Sequence, residues 1–317
     1  MQQAVATVPE YSATVIAMCS AGLALLALAL WGARKEIPAA RGLDKIVALW
    51  SVCFAPPLAV FGATHLFDPQ SLLIRVPSYM PWRPYWVYFV GCALIAAALS
   101  LAARVSVRWS GLLFGIMMFL FVAMLHLPGA IALKNNRILW TIVARELSFG
   151  GAAWMFAANA ANDWSERRRS ILRNVGRAFV TLALLVFGLE EILHPAVLPV
   201  VPLVQEMPSW VPGRLLIGYL TGAALLVAGA SILWGKRVRL ISTCLAAWIV
   251  LLVLLLYGPI MILALSAAGD VAQVTAIDYF ADTLLFAGVV LALAKVAPTT
   301  ATHSSPASRE PLPTETA

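Results

Sequence analysis

The chain has 317 residues, of which 62% are hydrophobic and only 12% are charged, and its mean hydropathy is +0.88. These values exclude a soluble globular domain and a disordered chain, since both carry far more polar and charged residues. The formal net charge of +7 fits basic loops that face an anionic membrane surface, so we expect no nucleic-acid partner.

Nine segments are long and apolar enough to cross the ~30 Å hydrocarbon core of a membrane as helices of about 20 residues. Leu and Ala dominate them and their spacing is short, which favours helices over barrel strands. The sequence therefore predicts an all-α polytopic protein embedded in the lipid bilayer. In chain order the predicted spans are 12–32, 44–66, 84–103, 110–133, 138–160, 174–193, 214–234, 240–267 and 277–296.

The first segment follows an N-terminus without Lys or Arg, so we interpret residues 12–32 as a retained helix and not as a cleavable signal peptide. Most Lys and Arg residues then fall on one side of the predicted spans. The other side receives only Arg75, Arg83, Lys134, Arg137 and Arg214. This asymmetry predicts an external N-terminus and a cytoplasmic C-terminus, which nine spans allow.

The chain repeats itself: VPSYMPWR at 76–83 matches MPSWVPGR at 207–214. The matching positions lie 131 residues apart: Pro77/Pro208, Pro81/Pro212, Arg83/Arg214, Tyr88/Tyr219, Gly91/Gly222, Ser100/Ser231, Arg108/Arg239 and Pro128/Pro259. Each copy holds four predicted spans, so both would lie the same way up and pack as an internal pseudo-dimer. The predicted organisation is an N-terminal helix (1–40), repeat 1 (41–162), a basic cytoplasmic linker (163–173), repeat 2 (174–297) and a disordered tail (298–317).

Ionisable residues inside the predicted spans concentrate in the outer half of the membrane. His65 ends the second span, and His126 lies about 10 Å below the outer surface at ~1.5 Å per residue. Arg145 and Glu146 lie roughly 12 Å deep by the same count. Repeat 2 supplies Glu190, Glu191, Tyr257 and Asp282 at similar depths. Because buried charge is costly in a membrane, these groups require an explanation.

Two explanations remain open. In the structural one the groups satisfy each other between helices; Arg145 and Glu146 are sequence neighbours, so each is expected to pair with another helix. In the functional one they line a pocket open to the outer leaflet, where His, Arg and carboxylate groups bind and protonate a quinone carbonyl. His65, His126, Arg145 and Glu146 would then be catalytic, and Glu190, Glu191, Tyr257 and Asp282 would bind the cofactor.

Other cofactors are less well supported by the residues. His65 and His126 could ligate a haem, but repeat 2 has no matching pair. The four cysteines lie within predicted spans and form no C-x-x-C pair, so no metal site is predicted.

The connection from Asp68 to Pro84 combines four prolines with Tyr and Trp residues. Proline prevents a continuous helix there, and the aromatic residues suit the headgroup region of the membrane. The segment is interpreted either as an ordinary aromatic belt or as a lid over the polar pocket.

The repeat unit resembles the DoxX family of four-helix bacterial membrane proteins. The resemblance rests on FGATHLFDP (61–69), the segment VPSYMPWRPYWVYFVGCALIAAALSL, then FGIMMFLFVAMLHLPGAI and TIVARELSFGGAAW, with FGLEEILHP (187–195) opening the second copy. It implies a bacterial cytoplasmic membrane location and an association with quinone-linked sulfur oxidation or redox-stress complexes. The unit is also similar to four-helix sterol-isomerase and ligand-binding membrane proteins, which use acidic residues in a comparable cavity. Repeat 2 departs from repeat 1 because Glu191 and Tyr257 replace His65 and His126, so we expect it to be mainly a structural partner.

Three functional hypotheses follow. The first is an accessory or catalytic oxidoreductase subunit that uses quinone and receives electrons from a membrane or soluble redox partner. The second is a non-catalytic lipid- or isoprenoid-binding scaffold. The third is a transporter, which a parallel repeat and a nearly charge-free inner half disfavour.

Overall fold

The computed structural model describes residues 11–267 and 269–298. Helices account for 80% of the structure, and no strand is formed within the described ranges. The prediction of an all-α membrane protein is confirmed at this level. Of the tail predicted to be disordered (298–317), residues 299–317 lie outside the described residues, and so do the first ten residues of the chain.

The helices are α1 (Ala13–Ala33), α2 (Glu36–Ala39), α3 (Asp44–Ala48), α4 (Trp50–Phe67), α5 (Pro69–Leu73), α6 (Arg83–Ala103), α7 (Val107–Phe121), α8 (Leu127–Ala132), α9 (Arg137–Ala160), α10 (Glu166–Leu193), α11 (Arg214–Trp234), α12 (Val238–Leu252), α13 (Gly258–Ala267) and α14 (Asp270–Val296). We call α4–α9 the first half and α10–α14 the second half.

Seven helical segments of the described chain are long and apolar enough to cross a membrane. They are Ala13–Ala33, Asp44–Phe67, Arg83–Ala103, Val107–Ala132, Arg214–Trp234, Val238–Ala267 and Asp270–Val296. The other two predicted spans also form helices, α9 and α10, but α9 carries Arg145 and Glu146 and α10 opens with a run of charges. Their passage through the membrane stays a prediction.

The outer faces of these helices expose large apolar side chains. On α11 and α13, Leu216, Leu220, Ile262 and Leu263 are all more than half exposed. Apolar exposure over whole helix faces is unusual for a protein surrounded by water but is expected where lipid replaces water. The exposed faces therefore agree with a multi-pass membrane protein.

A π-helical turn interrupts two of the apolar segments, Val107–Ala132 and Val238–Ala267, at matching places. These turns span Val122–His126 and Val253–Tyr257, and each is followed two residues later by a proline, Pro128 or Pro259. A proline inside a helix lacks an N–H group, and its ring collides with the carbonyl group four residues earlier, so the preceding turn widens. Both widened turns end on a candidate site residue, His126 or Tyr257.

The two halves interlock through their last helices. Within each half, α4 packs on α6 and α7 on α9, and likewise α10 packs on α11 and α12 on α14. Between the halves, α9 packs on α10, α14 packs on α4, and α9 meets α14. A Cβ atom at Gly176 on α10 would lie 2.3 Å from the carbonyl oxygen of Gly151 on α9, and one at Gly288 on α14 would lie 2.9 Å from Cβ of Phe54 on α4. Small residues thus allow both contacts between the halves.

Two ion pairs at one end of the bundle follow the same pattern, since each joins a helix of one half to the segment that precedes the other half. Arg108 at the start of α7 pairs with Asp163, which precedes α10, and Arg239 at the start of α12 pairs with Asp44 on α3, with Nη2 2.7 Å from Oδ1. The hydrogen bond from Arg108 holds the pKa of the Asp163 carboxyl below its ordinary value. That pair therefore persists at neutral pH and is lost as the pH falls through the lowered pKa.

Candidate functional site

An ion triad occupies the contact between α9 and α14. Arg145 donates to Glu146 Oε1 at 2.8 Å through Nη2 and to Asp282 Oδ2 at 3.2 Å through Nη1. The three side chains are only 20%, 10% and 7% exposed, respectively. One guanidinium group therefore joins a carboxylate of the first half to a carboxylate of the second, 136 positions further along the chain.

The triad corrects one expectation. Arg145 and Glu146 were expected to pair only with other helices, because neighbouring residues point in different directions around a helix. The long guanidinium side chain nevertheless curls back to its own neighbour while it also contacts Asp282. The predicted partner on another helix exists, and it is Asp282, a residue assigned from the sequence to a cofactor site in repeat 2.

Asp278, which the sequence analysis missed, extends the triad by one turn of α14. It precedes Asp282 by four residues, so both carboxyl groups lie on one helix face. Its Oδ1 atom is buried without a hydrogen-bond partner among the described residues, and Asp278 interacts electrostatically with Asp282 and Arg145. The i,i+4 spacing to Asp282 was the available signal.

Of the two candidate histidines, His126 lies beside this group. Electrostatic interactions link His126 to Glu146 and Arg145. Arg75, which lies in the connection between α4 and α6, interacts electrostatically with both His126 and His65. We call Arg145, Glu146, Asp278, Asp282 and His126 the polar cluster. His65 Nδ1 lies 2.7 Å from the carbonyl oxygen of Phe61. Because a carbonyl only accepts, Nδ1 carries the hydrogen and Nε2 keeps a free lone pair.

In the second half the equivalent positions are bonded to the protein's own backbone. Glu191 Oε1 accepts the N–H of Val200 at 2.5 Å, and the Tyr257 hydroxyl donates to the carbonyl oxygen of Pro199. Glu191 and Tyr257 are 0% and 1% exposed, whereas His65 and His126 are only partly buried. Asp282, which the sequence analysis had grouped with Glu191 and Tyr257, pairs with Arg145 and also interacts electrostatically with Tyr257.

The backbone that reaches these residues belongs to a hairpin. Leu198 N donates to Gln205 O and Met207 N to Ala196 O, both at 2.8 Å, and we call this segment the 196–207 hairpin. Its apolar side chains point inward, and Leu198, Val200, Val201 and Met207 are each at most 2% exposed. The hairpin therefore fills the end of the second half at which α10 ends and α11 begins.

Arg137, the first residue of α9, anchors this hairpin. Its guanidinium group donates to the carbonyl oxygens of Pro202 at 3.2 Å and Leu203 at 3.0 Å, and it pairs with Glu190 Oε2 at 3.1 Å. Glu190, predicted to bind a cofactor, joins α10 to this anchor, and His194 lies 3.8 Å from the same carboxylate.

We expect Arg137→Gln to loosen the hairpin by about 1–3 kcal/mol, because it removes charged hydrogen bonds to two carbonyl groups. The measurement is the rate at which a glutamate-specific protease cleaves after Glu206 in detergent-solubilised protein, which should rise at least about fivefold. Lys134→Gln is the matched control, since this exposed cation lies three residues before Arg137 and its side chain makes no hydrogen bond to another described residue. Equal cleavage of both variants would contradict the anchoring role.

The corresponding connection of the first half stays on the surface. None of residues 68–82 is buried, and Tyr79 and Trp82 are 69% and 76% exposed. Arg83 fixes the segment by donating to the carbonyl oxygens of Val76 at 3.0 Å and Leu73 at 2.7 Å. The connection of the first half therefore differs from the buried 196–207 hairpin, although Arg75 within it interacts electrostatically with His65 and His126.

A second charged region lies at the opposite end of the bundle. It surrounds a cavity of about 410 Å³ lined by Glu36, Asp44, Asn159, Arg239 and Lys295. Lys295 pairs with Glu36 at 3.0 Å, and Arg239 with Asp44, so its cations already have partners. These pairs join α14 to α2 and α12 to α3, the two short helices that precede the first half, and explain the region structurally. Among the described residues, no group of three His, Cys, Asp or Glu side chains is placed to hold a metal.

Comparisons with protein-family models, with characterised proteins and with solved structures find no match to this chain.

Proposed function

We propose that this chain is a DoxX-like protein of the bacterial cytoplasmic membrane that binds an isoprenoid quinone at the outer end of its first half. It would serve as an accessory or catalytic subunit of a quinone-linked redox system. The observation that carries the proposal is the polar cluster, an ion triad with His126 and Asp278 beside it, within an otherwise apolar bundle.

The composition of the cluster suits proton-coupled chemistry. Three carboxyl groups, those of Glu146, Asp278 and Asp282, lie around the guanidinium group of Arg145, and Asp278 also interacts electrostatically with Arg75. With His126 neutral, three carboxylates would outnumber the two guanidinium groups, and such an excess of charge is costly in a membrane. The cluster can therefore hold an exchangeable proton, and reduction of a quinone needs protons delivered to its carbonyl oxygens. Electrons would come from a membrane or soluble redox partner.

The proposed topology has nine spans, with α9 and α10 among them, an external N-terminus and a cytoplasmic C-terminus. The pairs Arg104–Glu36, Lys295–Glu36 and Arg239–Asp44 support it, because residues predicted to be cytoplasmic meet at one end of the bundle. The polar cluster and the hairpin belong to the other end, where few basic residues are predicted. We further propose that the two halves arose by duplication and form an internal pseudo-dimer.

A lipid- or isoprenoid-binding scaffold is the second candidate, and one observation favours it. Arg145 is bonded on both sides and joins α9 to α14, so the triad also has a purely structural use. In that case His126 would line a lipid site without moving protons.

The test is mass spectrometry of the lipids and quinones that copurify with the protein in mild detergent. We expect about one bound quinone per chain in the wild type. In His126→Ala we expect the bound quinone to fall at least about tenfold, because this substitution removes the imidazole group proposed to bind the quinone carbonyl. His194→Ala is the matched control, because this histidine lies outside the polar cluster beside Glu190. Bulk phospholipid without quinone in the wild type would overturn the redox proposal in favour of the scaffold.

A further inference from the structure

The outer ends of the two halves are built on equivalent positions. A Cβ atom at Gly91 would lie 2.9 Å from Cβ of His65, and one at Gly222 would lie 2.9 Å from Cβ of Glu191. The π-helical turns place His126 and Tyr257 at matching points of the neighbouring helices. The pairs His65/Glu191 and His126/Tyr257 therefore mark the same location in each half.

The connections across these locations differ in length. Residues 68–82 join α4 to α6, and residues 194–213 join α10 to α11, which makes the second connection five residues longer. The equivalent glycines before the connections, Gly62 and Gly188, lie 126 positions apart, whereas those after the connections, Gly91 and Gly222, lie 131 positions apart. The distance between equivalent residues thus grows by the same five residues. The additional residues allow the 196–207 hairpin to fold into the bundle.

The hairpin presents one peptide group to the site. The Pro199 carbonyl accepts from Tyr257 and the Val200 N–H donates to Glu191, so acceptor and donor belong to the same peptide bond. Val200 has a φ of 82°, which is unfavourable for a β-branched residue. Its side chain and that of Leu198 fill the apolar space around this peptide group. The segment thus resembles a ligand with a hydrogen-bonding head and an apolar body.

The first half has the receiving groups but no such segment. His65 Nε2 retains a lone pair because Nδ1 donates to Phe61, and His126 makes no hydrogen bond to another described residue. None of residues 68–82, which form the connection of the first half, is buried. Among the described residues, the first connection therefore supplies no buried segment in the place that the hairpin takes in the second half.

We infer that Leu198–Pro202 is a built-in occupant of the second half, and that each chain binds a single quinone or quinol, at the equivalent place in the first half between His65 and His126. This rests on the proposed function. A quinol hydroxyl donates to His65 Nε2, as Val200 N–H donates to Glu191, and a quinone carbonyl accepts from His126, as Pro199 accepts from Tyr257. The isoprenoid chain takes the place of the apolar side chains of the hairpin.

The experiment is photolabelling of the full-length wild-type protein in mild detergent with a short-chain azido-quinone, followed by peptide mapping. We expect labelling around His65 and His126 to exceed that around Glu191 and Tyr257 at least about tenfold, with about one quinone bound per chain. Equal labelling of both halves, or two quinones per chain, would overturn the inference while leaving quinone binding intact. No labelling in either half would overturn the proposed function and the inference together.

A second variant tests the occupant directly. Deleting Leu198–Pro202 gives the second connection the length of the first, and we expect label to appear at Tyr257 while labelling at His126 persists. A folded deletion variant without label at Tyr257 would overturn the role of the segment as an occupant. If the deletion prevents folding, the wild-type labelling pattern still decides between one site and two.

Discussion

Arg145→Met is expected to destabilise the protein by about 3–5 kcal/mol, the largest effect of any single substitution proposed here, because it leaves buried carboxylates without their cation. Glu146 and Asp282 are at most 10% exposed and both depend on this guanidinium group. Asp278 adds a third carboxyl group within electrostatic range. The measurement is thermal unfolding of purified protein in detergent, together with the yield of folded protein from membranes.

The triple variant Arg145→Met, Glu146→Gln, Asp282→Asn supplies the control. It removes the charges together, and replacing a complete buried ion group by neutral residues is often close to neutral for stability. We therefore expect the triple variant to recover most of the lost stability. A single Arg145→Met variant as stable as the wild type would show that the triad does not hold α9 and α14 together.

The same triple variant separates structure from function. If it folds but no longer retains quinone, the charges take part in ligand binding or proton supply. If it folds and still retains quinone, the triad only joins the two halves, and the ligand depends on His65 and His126. Because both variants share the Met substitution, the comparison does not depend on the lost bulk of the arginine side chain.

The helices could be predicted from the sequence because lipid requires nearly continuous apolar runs. Residues 214–234 were predicted as a span and form α11 with the same bounds, and residues 12–32 became Ala13–Ala33. The placement of Arg145 and Glu146 inside a helix also followed from the sequence, since both lie within α9. Their partner did not, because the rotation of α9 against α14 depends on tertiary packing between residues far apart in the chain.

The hairpin was the main structural feature that the sequence analysis did not find. Its apolar segment Leu198–Leu203 is too short for a span and contains two prolines, so it was treated as a connection. The change of offset between the copies, from 126 to 131 positions, was visible in the sequence. What periodicity could not reveal is that the extra residues fold back into the bundle and bond Glu191 and Tyr257.

The second large effect is expected at the contact between α9 and α10. Gly176→Ala should destabilise the protein by about 1–3 kcal/mol, because overpacking against backbone cannot be relieved by rotating a side chain. The new Cβ atom would lie 2.3 Å from the carbonyl oxygen of Gly151 and 2.8 Å from Cγ of Met155. The helices would have to move apart, and α9 carries Arg145 and Glu146.

Two other glycines calibrate this prediction by thermal unfolding in detergent. Gly288→Ala on α14 should have a smaller effect, since its Cβ atom would lie 2.9 Å from Cβ of Phe54 and 3.0 Å from the backbone. Gly129→Ala on α8 should have none or slightly stabilise, because nothing lies within 4 Å of its added methyl group. An unfolding temperature for Gly176→Ala equal to that for Gly129→Ala would contradict the close approach of α9 and α10. If only Gly176→Ala and Gly288→Ala lower the unfolding temperature, the contacts α9–α10 and α4–α14 hold the two halves together. These contacts then also fix α9, which carries Arg145 and Glu146 of the polar cluster.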